Sequence, residues 1–241
     1  MYRYIYKIRW YHGETRPYVI GIFFGGNMKK IIFDLDDTLI MWKSEYYDTL
    51  NKTLDYFNIK YEEKDIYNLK KAVGDYENNY NIYKEEYMLE IFKKYTSLDL
   101  PFNFVTVWIE YLKNCYPKIQ DEGLLEVLEY LSKKYELVVL TNWFTKSQKE
   151  RLNGYGILKY FKDVIGTDNV LNKPNKEAFI KACGNTKVED CIMVGDNFNI
   201  DILGAYEAGL EAIWLNLKEI VPKEKIKVKQ IKSLVELKEC L

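Results

Sequence analysis

The stretch Lys30-Ile31-Ile32-Phe33-Asp34-Leu35-Asp36-Asp37-Thr38 is an apolar run of strand length that breaks into acids. Its first part, Lys30 to Asp34, reads as a strand buried on both faces, because it is apolar without alternation and ends in a polar residue. Four later runs share that form: Leu137 to Thr141, Asp163 to Gly166, Cys191 to Val194, and Glu211 to Leu215. Helical patterns lie between them. Leu124, Leu128 and Leu131 repeat at helical spacing before the second run, and Ser147 to Asn153, with Gly154 as a stop, lies between the second and the third. The tail adds a short strand near Lys229 to Ile231 and a helix from Ser233. Strands that alternate with helices in this way predict an α/β fold built on a doubly wound parallel sheet.

Between the first two strands lie about a hundred residues, far more than a one-helix crossover needs. Helices are expected there at Lys43 to Phe57, Glu63 to Asn78, Ile82 to Tyr95 and Phe104 to Tyr116, with Met88, Ile91, Phe92 and Tyr95 on one face. The expected organisation is therefore a Rossmann-like core, residues 28–42 and 117–241, interrupted by a helical-bundle cap at 43–116. Residues 1–27 read as a preface without a sustained pattern. Gly25-Gly26-Asn27 corresponds to purine-rich codons of ribosome-binding character, so Met28 is a candidate start; the alternative is an extra edge strand at Tyr18 to Phe24.

Composition narrows the chemistry. The 241 residues hold 35 Lys+Arg against 36 Asp+Glu, a net charge of -1, so no whole-molecule field favours a nucleic acid polymer or an anionic membrane. No apolar run approaches the roughly 20 residues that a bilayer span needs, and the N-terminal apolar run carries no small-residue cleavage site. Cys115, Cys183, Cys191 and Cys240 form no C-x-x-C pair, which favours free thiols, a reducing compartment and the cytoplasm. The single histidine is His12. A single histidine argues against histidine-based catalysis and histidine-rich zinc sites, leaving carboxylates, lysine, tyrosine or a metal-bound water for acid and base work.

In an open parallel sheet, ligands bind beyond the carboxyl ends of the strands. Those ends here carry Asp34-Leu35-Asp36-Asp37-Thr38, Thr141-Asn142, Lys173-Pro174, and Gly195-Asp196 followed by Asp201. Each alone is ordinary: an acidic turn usually caps a helix or faces solvent. Together they bring several carboxylates to one partly buried edge, where a hard cation, Mg²⁺, would offset their repulsion.

In that order the four motifs resemble the haloacid dehalogenase-like superfamily of phosphotransferases, in the subfamily with a helical cap between its first two motifs. The flanking Ile202-Leu203-Gly204-Ala205 and Ala208-Gly209 agree. The resemblance covers nearly all of the chain from Met28. It implies that Asp34 is the nucleophile that becomes an aspartyl-phosphate, and that Asp36 acts as acid and then base. It implies Mg²⁺ on the Asp34 carboxylate, the Asp36 main-chain carbonyl and Asp196, with Asp201 supporting that shell. Thr141 and the Asn142 backbone would hold a phosphoryl oxygen, and Lys173 would offset its charge. Asp37 reads as a turn residue, and Asp201 has the alternative of a helix N-cap. Three departures from the pattern stand out: Trp143 in place of a small residue, Asn197 in place of serine, and no second proline after Lys173-Pro174. The implied activity is a phosphatase of small phosphorylated metabolites, with a phosphomutase as its nearest rival. A dehalogenase is disfavoured by Asp36, and a phosphoacceptor receiver by motif order. Monomer and homodimer both stay open.

Overall fold

The structure, a computed structural model, describes residues 29–41, 45–115, 122–168, 170–222 and 226–241. The preface, its candidate strand Tyr18 to Phe24 and the candidate start Met28 lie outside the described residues, as do Trp42, Lys43 and Tyr116 at the ends of the expected insertion.

Among the described residues six strands form one parallel sheet: β1 (Lys30–Phe33), β2 (Glu136–Leu140), β3 (Asp163–Ile165), β4 (Cys191–Gly195), β5 (Glu211–Leu215) and β6 (Lys229–Ile231), in the order β3-β2-β1-β4-β5-β6. Ile32 of β1 stands in register with Val138 on one side and Met193 on the other. Period-two geometry then sorts the side chains into layers. Ile31 and Phe33 join one buried cluster with Leu124, Leu128 and Leu131, while Ile32 joins another with Phe179, Met193 and Trp214. Because both faces are covered, the strands read as unbroken apolar runs.

Between β1 and β2 lie α1 (Glu45–Tyr56), α2 (Glu63–Asn79), α3 (Glu85–Tyr95) and α4 (Phe104–Leu112), then α5 (Leu124–Ser132). Helix α2 starts where the Glu62 N–H donates to Asp65 Oδ2 at 2.9 Å, satisfying a donor at its first turn. On α3, Met88, Ile91 and Phe92 are buried and Tyr95 is half-buried, so the expected face is the packed one. Among the described residues the remaining α-helices are α6 (Thr145–Gly154), α7 (Lys176–Cys183), α8 (Gly204–Ala208) and α9 (Leu237–Cys240). Gly154 does not stop α6; the left-handed residue that turns the chain out is Gly156, at φ 68°.

Helices α1 to α4 share a hydrophobic cluster of their own, and two residues that follow β2 belong to it. Trp143 meets Tyr83 edge to face at a centroid distance of 5.6 Å and Trp108 at 5.8 Å, with Phe144 beside it. The unusual tryptophan is thus a wedge between sheet and insertion. The seam is closed by main-chain bonds, Tyr83 N–H to the Thr167 carbonyl at 3.0 Å and Asn172 N–H to the Asn81 carbonyl at 2.8 Å. Among the described residues no helix is long and apolar enough to cross a membrane.

The chain winds from β1 toward β2 and β3 on one side and toward β4, β5 and β6 on the other. The crevice beyond the carboxyl ends of β1 and β4 is therefore the topological switch point, where a ligand meets loops diverging from both.

Candidate active site

Asp34 follows β1 directly, and its N–H continues the ladder by donating to the Val194 carbonyl at 2.9 Å. That bond fixes the backbone and leaves a nearly buried carboxylate at the switch point. Lys173 Nζ donates to Asp34 Oδ1 at 2.6 Å, and the Thr38 hydroxyl donates to Asp34 Oδ2 at 3.0 Å. Thr38 also accepts from the Asp196 N–H at 3.1 Å, tying the loops after β1 and β4 together. The Trp214 indole N–H holds the Asp196 carbonyl at 2.8 Å. Asp37 occupies the turn, as expected, at φ 63°.

Asp201 lies inside a π-helical turn, Phe198–Leu203, and is not its N-cap. Asn197 takes that position, with its side-chain oxygen accepting from Asn199 and Ile200 N–H groups, each at 3.1 Å. The fully buried Asp201 instead accepts from Lys173 Nζ at 2.7 Å and from the Asn197 N–H at 3.1 Å. Gly195 makes this seat possible, since a Cβ there would fall 2.4 Å from Asp201 Oδ2.

Lys173 is held by more than its ion pairs. The Asn142 side chain donates to the Lys173 carbonyl at 2.9 Å and accepts from the Lys173 N–H at 2.8 Å. This two-sided clamp fixes the loop in place of a second proline.

Asp36 faces elsewhere. Its carboxylate accepts from Arg151 Nη2 at 2.8 Å on Oδ1 and from Gln148 Nε2 at 2.8 Å on Oδ2. Its carboxylate stands outside the group of acids formed by Asp34, Asp196 and Asp201. Gln148 Nε2 also donates to the Thr141 hydroxyl oxygen at 2.9 Å. Sequence reasoning placed Thr38 in the first motif without a role, and missed Arg151 and Gln148. From α2, Glu77 borders this region: the protein around it, and then the charge of Asp36, push its carboxyl up to about 7.

Asp34, Asp196 and Asp201 each offer an oxygen within 4.8 Å of the others, the one such metal-holding group found among the described residues. Burial above all holds Asp34 well above the usual carboxylate range, Lys173 pulls it back, and Asp201 and Asp196 add to the rise. Burial, then Asp201 and Asp37, push Asp196 up to about 7 against the pull of Lys173. Burial depresses the Lys173 ammonium, but Asp201 and Asp34 outweigh it and leave its pKa raised. Three hard carboxylate donors with one lysine among them form a set that a divalent cation fits. Beside Asp196 opens a cleft of about 660 Å³, lined also by Asp37, Met41, Phe198, Trp214 and Ile220.

The raised carboxyls make stability depend on pH. The folded chain keeps a proton on Asp196 that the unfolded chain releases, so the stabilisation is complete below 3.8 and is lost as pH rises through about 7. The half-buried Glu211, also pushed up to about 7, acts in the same direction. Without divalent cation, the melting temperature is expected to fall from about pH 5.5 to about pH 8, and added Mg²⁺ should remove the share due to the cluster. Thermal melts at both pH values, with Mg²⁺ and with EDTA, check this; an unchanged fall with Mg²⁺ overturns it.

Residues 28–209, a span that holds every side chain of this cluster, match the haloacid dehalogenase-like hydrolases. The chain belongs to that family. A glyceraldehyde 3-phosphate phosphatase of Methanothermobacter thermautotrophicus is 29% identical over 235 residues, covering 89% of this chain and 100% of that one. The pyrimidine 5'-nucleotidase YjjG of Escherichia coli is 34% identical over 98 residues, 39% of this chain and 44% of that one. Among solved structures of the family, YfnB of Bacillus subtilis, bound to magnesium, superposes with a TM-score of 0.67 at 20% identity, covering 89% of this chain and 98% of that one. That likeness is one of fold, and it extends to the parallel sheet and the helices inserted in it.

Proposed function

We propose that this chain is a Mg²⁺-dependent phosphatase of small phosphorylated metabolites that works through an aspartyl-phosphate on Asp34. The observation that carries the reading is the buried Lys173 ammonium bridging Asp34 at 2.6 Å and Asp201 at 2.7 Å, beside Asp196, at the switch point of the sheet. The phosphatase names of the relatives support it, and one of them is matched over its full length.

In this reading Asp34 attacks phosphorus, and its new bond to phosphorus forms as the bond to the leaving oxygen breaks. Asp36 gives a proton to that oxygen, then takes one from the water that attacks the aspartyl-phosphate. The Thr141 hydroxyl, already accepting from Gln148, keeps its hydrogen for a phosphoryl oxygen, and the Asn142 main chain adds a second contact. Lys173 offsets charge on the phosphoryl group as it transfers. A divalent cation held by Asp34, Asp196 and the Asp36 carbonyl, with Asp201 behind them, would supply further charge compensation when bound. Residues 43–116 would act as the cap over the crevice, with 28–42 and 117–241 as the core. Free thiols at Cys183, Cys191 and Cys240 support a cytoplasmic setting.

The test is hydrolysis of an aryl phosphate and of a panel of phosphorylated metabolites, with Mg²⁺ and with EDTA. Phosphate release that requires the metal is expected. No release from any substrate with Mg²⁺ present overturns the reading.

A further inference from the structure

Arg151 is buried to 1% exposure, in a helix turn where its neighbours Lys149 and Glu150 are not buried. Its guanidinium meets three partners at once: Nη2 donates to Asp36 Oδ1 at 2.8 Å and to the Tyr46 hydroxyl oxygen, and Nη1 donates to Gln148 Oε1 at 2.6 Å. The Tyr46 ring lies over it at 4.6 Å from Cζ. Gln148 completes the loop, donating to Asp36 Oδ2 at 2.8 Å and to Thr141 at 2.9 Å. Both oxygens of Asp36 are thus clamped from α6. The clamp is itself braced by α1, because Tyr46 is buried in the hydrophobic cluster of the insertion. A buried ion pair is a poor source of net stability, so holding the direction of a carboxylate is the better account of why an arginine sits here. The planar fork of its guanidinium suits that task as a lysine ammonium does not.

We propose that Arg151 and Gln148 are positioning residues that aim the Asp36 carboxyl at the leaving-group oxygen, and that Tyr46 makes this aim depend on how α1 is seated. The inference rests on Asp36 being the acid of the proposed reaction. An acid matters in proportion to how poor the leaving group is: an alkoxide needs a proton as it departs, whereas a nitrophenolate departs without one. Loss of aim should therefore cost alkyl phosphates more than p-nitrophenyl phosphate, which loss of general packing would not do.

The experiment compares kcat/KM for an alkyl phosphate and for p-nitrophenyl phosphate in wild type, Asp36→Asn, Arg151→Lys, Gln148→Met and Tyr46→Phe, with thermal melts as the check on folding. Arg151→Lys keeps the positive charge while the planar fork is lost. Asp36→Asn should lower the alkyl rate by about 10²–10⁴ and the aryl rate far less. Arg151→Lys and Gln148→Met should lower the alkyl-to-aryl ratio by about tenfold or more, as small misplacements of catalytic groups do, and Tyr46→Phe by severalfold. Should Arg151→Lys fail to fold, the other two variants carry the test. Equal losses on both substrates in all three, with a selective loss in Asp36→Asn, overturn the inference and leave the acid role standing. Equal losses in Asp36→Asn itself overturn the acid role and the inference with it.

Discussion

Asp34→Asn is expected to lower kcat on an aryl phosphate by about a thousandfold or more, while the variant melts no lower than wild type in the absence of divalent cation. The two halves have one origin. An amide of the same shape cannot attack phosphorus, so the reaction loses its covalent route. The one oxygen of that amide still accepts from Lys173, and its NH2 can donate to the Thr38 hydroxyl oxygen, at the positions where Asp34 meets them at 2.6 and 3.0 Å. Burial and the neighbouring Asp201 and Asp196 all work against the charge on Asp34, so its removal relieves crowding within the cluster. Steady-state kinetics beside thermal melts separate a missing nucleophile from a damaged fold. A variant within about tenfold of wild type would remove Asp34 from the nucleophile's role.

Five of the six strands were legible because they are largely buried and parallel, so each is an apolar run that stops at a polar residue or glycine, whereas β6, Lys-Gln-Ile, has only Ile231 buried. Strand ends shifted by a residue where hydrogen bonding outlasts strand geometry: the Asp34 N–H still bonds the Val194 carbonyl, although β1 stops at Phe33. The stop assigned to Gly154 belongs to Gly156, since what ends a helix is the position that must take positive φ, and two glycines so close look alike in sequence. The convergence of Asp34, Lys173, Asp196 and Asp201 was legible for a related reason: each stands just past a strand or at the loop that follows one, and parallel strands bring those ends to one edge. Arg151 was not legible. It lies 115 residues from Asp36 and 105 from Tyr46 in sequence, within a charged run that reads as a solvated helix face. One local signal existed: Ser147, Gln148, Arg151 and Leu152 fall on a single helical face, and that face is the buried one. Polar residues at core positions of a helix point to partners elsewhere. Thr38 stood in the first motif without a role, as a hydroxyl in an acidic turn is common, and only the fold brings Asp196 to it.

Lys173→Met is expected to lower kcat/KM by about 10²–10³ and stability by about 3–5 kcal/mol, and the two losses should prove separable. Removing the ammonium leaves Asp34 and the fully buried Asp201 without the cation that both contact, next to Asp196. An uncompensated buried charge costs more than the lost pair contributed, which sets the direction and scale of the destabilisation. Excess Mg²⁺ should recover part of that stability by supplying positive charge to the same carboxylates. Adding Asp201→Asn in the same chain should recover more, because it removes the carboxylate whose partner is gone and keeps the acceptor for the Asn197 N–H, now at 3.1 Å. Activity should follow neither repair. If Lys173 acts on the transferring phosphoryl group, neutralising Asp201 restores the fold without restoring the donor that stabilises the transition state. Urea denaturation and kcat/KM on the single and double variants, each with and without Mg²⁺, decide the matter. A double variant that regains both stability and most of its activity would mean that Lys173 serves only to neutralise Asp201, and the charge felt by the phosphoryl group would then have to come from the carboxylate-held cation alone.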